Sequence, residues 1–147
     1  MEDGTTHNAD LLVPAVPLKN CPIATTLGVL GHKWTLLLIR DMSMRGATRF
    51  SEFMKLNPGI TPRILSMRLR ELERNGMVTR AEEKTKGPKL IRWSLTDQGW
   101  DTIPILMRFA AFGSKWFAAS VFEDQVPRRL REVYPLWEAQ SISRRYP

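Results

Sequence analysis

The run GITPRILSMRLRELERNGMVTR at residues 59–80 holds five arginines against two glutamates. Planar guanidinium forks suit paired acceptors, above all guanine O6 and N7, and they also meet phosphate oxygens. The whole chain of 147 residues leans the same way. Its 22 Lys+Arg and 15 Asp+Glu give a formal charge of +7, which favours a polyanionic partner such as nucleic acid or an acidic membrane surface. Other chemistries have little material. His7 and His32 are the only histidines and lie far apart, and HExxH, Walker A and GxSxG motifs are absent. The single cysteine, Cys21, excludes an intrachain disulfide and any multi-cysteine metal site, and it lacks an evident base. The reading is of a non-enzyme with no metal and no cofactor.

The arginines need a helix to align them. Thr61-Pro62 is a start signal, a hydroxyl N-cap followed by proline in the first turn, and Gly76 is a left-handed stop. At about 100° per residue, Leu65, Leu69 and Leu72 fall on one stripe, the core face. Arg63, Met67, Arg70 and Arg74 gather opposite, with Ser66 at the margin and Glu71 and Glu73 on the flanks. Such a helix can enter a major groove. There Arg63 and Arg70 read guanine, Met67 touches a thymine methyl, and Arg74 meets phosphate. The plainer alternative is a solvated basic face.

A second basic element follows. Val78–Glu83 and Leu90–Leu95 read as strands joined by KTKGP, and Ile91, Trp93 and Leu95 alternate with Arg92 and Ser94. Lys84, Lys86 and Lys89 at the tip suit flanking phosphates or a minor groove. The alternative is a set of lysines that discourage edge pairing. With Thr61, Arg63, Ser66, Met67, Arg70 and Arg74, these lysines and Arg49 make up the expected DNA contacts.

The remaining elements frame these two. Residues 1–20 form an arm interrupted by Pro14 and Pro17. A helix begins at Cys21-Pro22, runs through Ile23, Leu27 and Leu30, and stops at Gly31 as a C-terminal cap. The next, from Lys33 or Trp34 to about Met44, carries WTLLLI and belongs in the core. A short extended piece and a helix over 47–57, then the Pro58-Gly59 turn, lead to the arginine helix. After the hairpin Thr96 caps a long helix from Asp97 to about Ser120, with a kink expected at Pro104. A short helix around 128–138 and a basic tail end the chain. This is a mainly α chain with a small β-hairpin wing, a winged helix-turn-helix. It divides into an arm (1–20), a DNA-binding unit (21–96), a dimerisation helix (97–120) and a C-terminal extension (121–147).

The 97–120 helix is apolar around much of its circumference, through Trp100, Ile103, Leu106, Phe109, Phe112, Trp116 and Phe117. One flank can meet this domain and the other a second copy. A two-fold homodimer would set two recognition helices about one DNA turn apart, matching a palindromic site. Alternatively the tail folds back over the helix through Leu130, Val133, Leu136 and Trp137. No stretch reaches the roughly 18–20 apolar residues of a membrane span, and the first residues do not form a signal peptide, so a cytoplasmic protein without a membrane partner is expected.

The runs CPIATTLGVLGHKWTLLLIRDM, TRFSEF, PGITPRILSMRLRELERNGMVTR and WSLTDQGW, taken in order, resemble the HxlR-type winged-helix transcription regulators. The resemblance covers about residues 21–117. It implies a homodimeric DNA-binding regulator, and in several members the cysteine at the position of Cys21 senses oxidants or electrophiles. Helix N-termini and nearby lysines, here Lys19, favour thiolate, although a lone cysteine before a helix is commonly a small buried residue. A small aromatic effector held among the long helix's aromatics and Trp34 is a second sensing route. The chain has Gly31-His32-Lys33-Trp34 where the family usually has Gly-Gly-Lys-Trp, Trp93 where Tyr is common, one wing proline (Pro88), and a tail from about 121 beyond the usual family end. A winged helix serving protein–protein assembly without specific DNA binding is the rival from another class.

Overall fold

The computed structural model of the protein describes residues 9–139; the expectations for residues 1–8 of the arm and for the basic tail after 139 lie outside them. A 3-10 turn at Ala9–Leu12 precedes α1 (Pro22–Leu30), α2 (Thr35–Met44), α3 (Phe50–Leu56) and α4 (Pro62–Arg74). The hairpin β1 (Val78–Glu83) and β2 (Leu90–Leu95) follows, and then come α5 (Asp97–Trp100), α6 (Ile103–Trp116), α7 (Ala118–Val121), α8 (Leu130–Val133) and α9 (Pro135–Ala139). The strands are antiparallel, with Val78 opposite Leu95 and Glu83 opposite Leu90.

One core joins the helices to the hairpin. Leu38 and Ile39 of α2, Phe53 of α3 and Leu65 and Leu69 of α4 are completely buried, and Val78, Trp93, Ile103 and Met107 close around them. Each such side chain contributes about 1.5–3 kcal/mol relative to leaving it in water. A polar knot lies beside this core. Buried Asp41 accepts two bonds from Arg40 (2.9 and 2.7 Å) and one from Asn57 Nδ2 (2.6 Å), so α2 is tied to the end of α3. Hydropathy patterning passed over it.

Several expectations change. The short strand before α3 is reduced to one bond, from Trp93 N–H to the Thr48 carbonyl (2.8 Å). The N–H groups of Thr48 and Arg49 instead donate to Glu52 Oε2 (2.7 and 2.9 Å), so that segment caps α3 rather than extending the sheet. On α1 only Leu30 is buried, whereas Ile23 and Leu27 are 70% and 55% exposed. Gly31 stays right-handed (φ −80°), and the left-handed residue is Trp34 (φ 81°) just before α2. A bulky residue in that region is costly, and here its partly buried ring packs against the core.

The expected single helix over 97–120 is three pieces, the longest of 14 residues. Thr96 caps the first by accepting from Gly99 N–H (3.1 Å). The break falls at Asp101-Thr102, where Thr102 N–H bonds the Gly99 carbonyl (3.1 Å). Pro104 explains it, because it has no N–H for the ladder and its ring would clash with the carbonyl four residues back. A second break falls at Phe117 (φ −115°, ψ 30°). The expected helix at 128–138 is likewise split at Pro135. The extension does fold back over α6. Arg128 N–H reaches the Ser114 carbonyl (3.1 Å), and Leu130 and Trp137 pack against the core. The Arg128 guanidinium also pairs with Asp124, holding that carboxyl at about 2, and lies over the Phe122 ring.

Candidate nucleic-acid interface

α4 is positioned at both ends. Thr61 Oγ1 accepts from Ile64 N–H (3.2 Å), and Gly76 turns the chain at φ 77° while Met77 N–H closes on the Leu72 carbonyl (2.9 Å). Thr96 Oγ1 donates to the Gly76 carbonyl (2.5 Å) and Gln98 Nε2 to the Asn75 carbonyl (2.9 Å), which locks the helix end to the hairpin exit. With Leu65, Leu69 and Leu72 buried, the opposite face is presented to solvent.

The five arginines of the run fall into two groups. Arg68 grips both Glu71 oxygens (3.1 and 2.9 Å) and donates from Nε to the Lys33 carbonyl (3.1 Å), tying α4 to the turn before α2. Arg80 approaches Glu73 (3.7 Å) across the α4–β1 junction. Arg63, Arg70 and Arg74 form no ion pair among the described residues, and with Ser66, Met67 and Glu73 they line a shallow groove of about 550 Å³. That contrast was only half legible. The carboxylate three residues beyond Arg68 signals a helical pair, but the Lys33 carbonyl is visible only in three dimensions.

A second depression of about 590 Å³ runs between α3, α4 and the hairpin, and Ser66 and Arg70 line both hollows. It brings Arg49 and Lys89 beside Arg70, together with Arg80 and Trp93. Glu52 holds Arg49 at the start of α3, and the two backbone N–H groups it accepts keep its own carboxyl below the usual value. Lys84 and Lys86 do not line this hollow. They are exposed on the wing turn, which is shaped by the Thr85 hydroxyl bonding the Pro88 carbonyl (2.9 Å) and accepting from Gly87 N–H (3.3 Å). Two carboxylates on β1 temper the wing: Glu82 pairs with Lys89 (3.1 Å) and Glu83 with Arg92 (2.9 Å).

The other expected sites are apart from this face. Cys21 is exposed at the N-cap of α1. Phe109, Phe112, Trp116 and Phe117 are 58% to 64% exposed, and Phe112 and Phe117 meet edge to face at 5.7 Å. Ile103 and Leu106, expected at a dimer contact, are 7% and 9% exposed and belong to the chain's own core. Trp100 faces the C-terminal extension across a pocket that does not include Trp34. Among the described residues no group of three His, Cys, Asp or Glu side chains comes together, and no helix is long and apolar enough to cross a membrane.

A capped helix presenting unpaired arginines, seated behind a second helix and followed by a basic two-stranded hairpin, defines a winged helix-turn-helix. The chain belongs to the HxlR-like helix-turn-helix family, whose model matches residues 29–121. It is 40% identical over 98 residues to the uncharacterized HTH-type transcriptional regulator YdeP of Bacillus subtilis (strain 168), covering 67% of this chain and 75% of YdeP. Among solved structures, the reduced form of the redox regulator HypR superposes with a TM-score of 0.58 at 36% identity, covering 63% of this chain and 90% of that one. The reduced form of the regulator YodB from B. subtilis gives a TM-score of 0.56 at 26% identity, covering 66% and 94%. The protein is a transcriptional regulator of the helix-turn-helix type.

Proposed function

We propose that this regulator binds double-stranded DNA as a homodimer, at a specific palindromic operator. One observation carries the reading: Arg63, Arg70 and Arg74 surround Met67 on the exposed face of α4 with no ion pair among the described residues, and Glu73, the one carboxylate lining that groove, is turned to Arg80. In it α4 reads the major groove, Arg49 and Lys89 approach beside it, and Lys84 and Lys86 grip backbone. Residues 21–96 are the DNA-reading unit and the helices of 97–120 pair the two copies. The aromatic face of α6 and the bare Ile23 and Leu27 of α1 support the pairing, since exposed apolar clusters of this kind mark interaction surfaces.

The test is fluorescence anisotropy on fragments upstream of the protein's own gene, titrated with salt. With about three to five cations per protomer on phosphate, the affinity of the dimer falls about 1,000- to 100,000-fold between 50 and 200 mM salt. Saturable binding to one fragment with that slope supports the reading. Equal weak binding to every fragment removes the specific operator, and no binding at low salt turns the basic face toward an acidic protein partner.

A second reading concerns the signal. Cys21 is exposed at a helix N-terminus, and HypR is a redox regulator by name. We infer that oxidants or electrophiles act on DNA binding through this thiol. Cys21→Ser then abolishes the response to hydrogen peroxide and quinones, and an unchanged response sinks the idea.

A further inference from the structure

We propose that the C-terminal extension, together with α2, α5 and α6, forms a binding site for a small neutral aromatic molecule, the effector of this regulator. A pocket of about 610 Å³ lies where the chain from Val133 to Trp137 passes over Met44, Trp100 and Met107. That volume falls within the range of about 300–1,000 Å³ common to small-molecule sites.

The lining specifies the chemistry. Trp100, Trp137 and Tyr134 bring three aromatic side chains to one hollow, and two methionines supply adaptable thioether walls. No lysine, arginine, aspartate or glutamate lines it, in a chain whose net charge is +7. The lining offers an ionised ligand no counter-charge to replace the water it would give up, so a neutral one is favoured. The Ser43 hydroxyl at the edge already donates to the Ile39 and Arg40 carbonyls (2.8 and 3.2 Å). Trp100, Tyr134 and Trp137 carry the other polar side-chain groups of the lining.

The site reaches beyond the residues that the family model matches. Half its wall comes from residues beyond 121, where the family match ends. Trp100 closes α5, whose cap Thr96 bonds the Gly76 carbonyl just after α4, so the pocket wall and the arginine helix meet at one hydrogen-bonded junction. The effector role rests on the DNA-binding reading; occupancy of the pocket does not.

Isothermal titration of the full chain with 2-naphthol, and with 2-naphthoate as its anionic counterpart, decides occupancy without DNA. We expect one saturable 2-naphthol site per chain, naphthoate binding at least about tenfold weaker, and Leu136→Asp weakening 2-naphthol about tenfold. Leu136 is 76% exposed, so that variant should melt at the wild-type temperature. Trp100→Ala is the second variant and should weaken binding similarly. No saturable binding, equal binding of naphthoate, or indifference of both variants overturns the site. On an operator fragment that the protein binds, saturating 2-naphthol should change the DNA Kd by at least about fivefold, and an unchanged Kd overturns the effector role. If no fragment is bound, the effector role falls with the DNA-binding reading while the titration still decides the pocket.

Discussion

The arginines of α4 separate into groups that a single pair of variants should resolve. Arg63 and Arg70 are exposed and lack an ion-pair partner among the described residues, so removing them breaks no ion pair of the folded chain. If each forms one bidentate guanine contact, Arg63→Ala/Arg70→Ala loses about 2–6 kcal/mol per half-site, which over the two half-sites of a dimer's operator is at least about a 900-fold rise in Kd. Arg68→Ala should do the reverse. Its side chain is 13% exposed and makes a bidentate pair with Glu71 plus a bond to the Lys33 carbonyl. Glu71 keeps some access to water, which limits the penalty to about 1–2 kcal/mol. For a chain of this length that is a melting temperature lower by about 3–6 °C. Anisotropy on a specific and a scrambled fragment, with thermal melts followed by circular dichroism, reads both effects. A base-reading pair loses discrimination between the fragments, whereas a phosphate-binding pair weakens both alike and reduces the salt slope. The reasoning is refuted if the double variant, folded and unchanged in oligomeric state, binds the operator like wild type. It is equally refuted if Arg68→Ala loses operator selectivity at an unchanged melting temperature.

Asp41→Ala should cost about 3 kcal/mol or more in urea unfolding, because it leaves one hydrogen of the buried Asn57 amide without an acceptor, the other still bonding the Phe53 carbonyl, and removes the carboxylate partner of Arg40. Phe109→Glu/Phe112→Glu should give a monomer by sedimentation with unchanged helicity, since both rings are exposed; a persistent dimer would place the contact elsewhere. The Glu52 carboxyl lies below its usual value because it accepts from Thr48 and Arg49 N–H. Its stabilisation is therefore complete above the unfolded-state carboxylate value and is lost as pH falls through the lower folded one. Glu52→Gln should flatten that acid limb of the stability profile, and an identical pH profile would show that the cap contributes nothing.

What the sequence by itself determined is local. Thr61-Pro62 and Gly76 bound the arginine helix because a hydroxyl cap, a proline and a left-handed glycine act within one turn of themselves. The spacing of Leu65, Leu69 and Leu72 set which face is buried, and KTKGP between two strand-forming runs set the hairpin. Tertiary structure decided what depends on residues distant along the chain. Arg68 is tied to a carbonyl 35 positions away, and buried Asp41 is completed by Asn57, 16 positions on, which bonds the oxygen that its neighbour Arg40 leaves free. Pro104 predicts a kink, yet the helix breaks before it, at Asp101-Thr102, and divides the aromatic stripe. Ile103 and Leu106 then went to the core while Phe109, Phe112, Trp116 and Phe117 stayed outside. A periodic apolar pattern records that a face prefers to leave water; which neighbour covers it is settled only when all the elements compete for the same core.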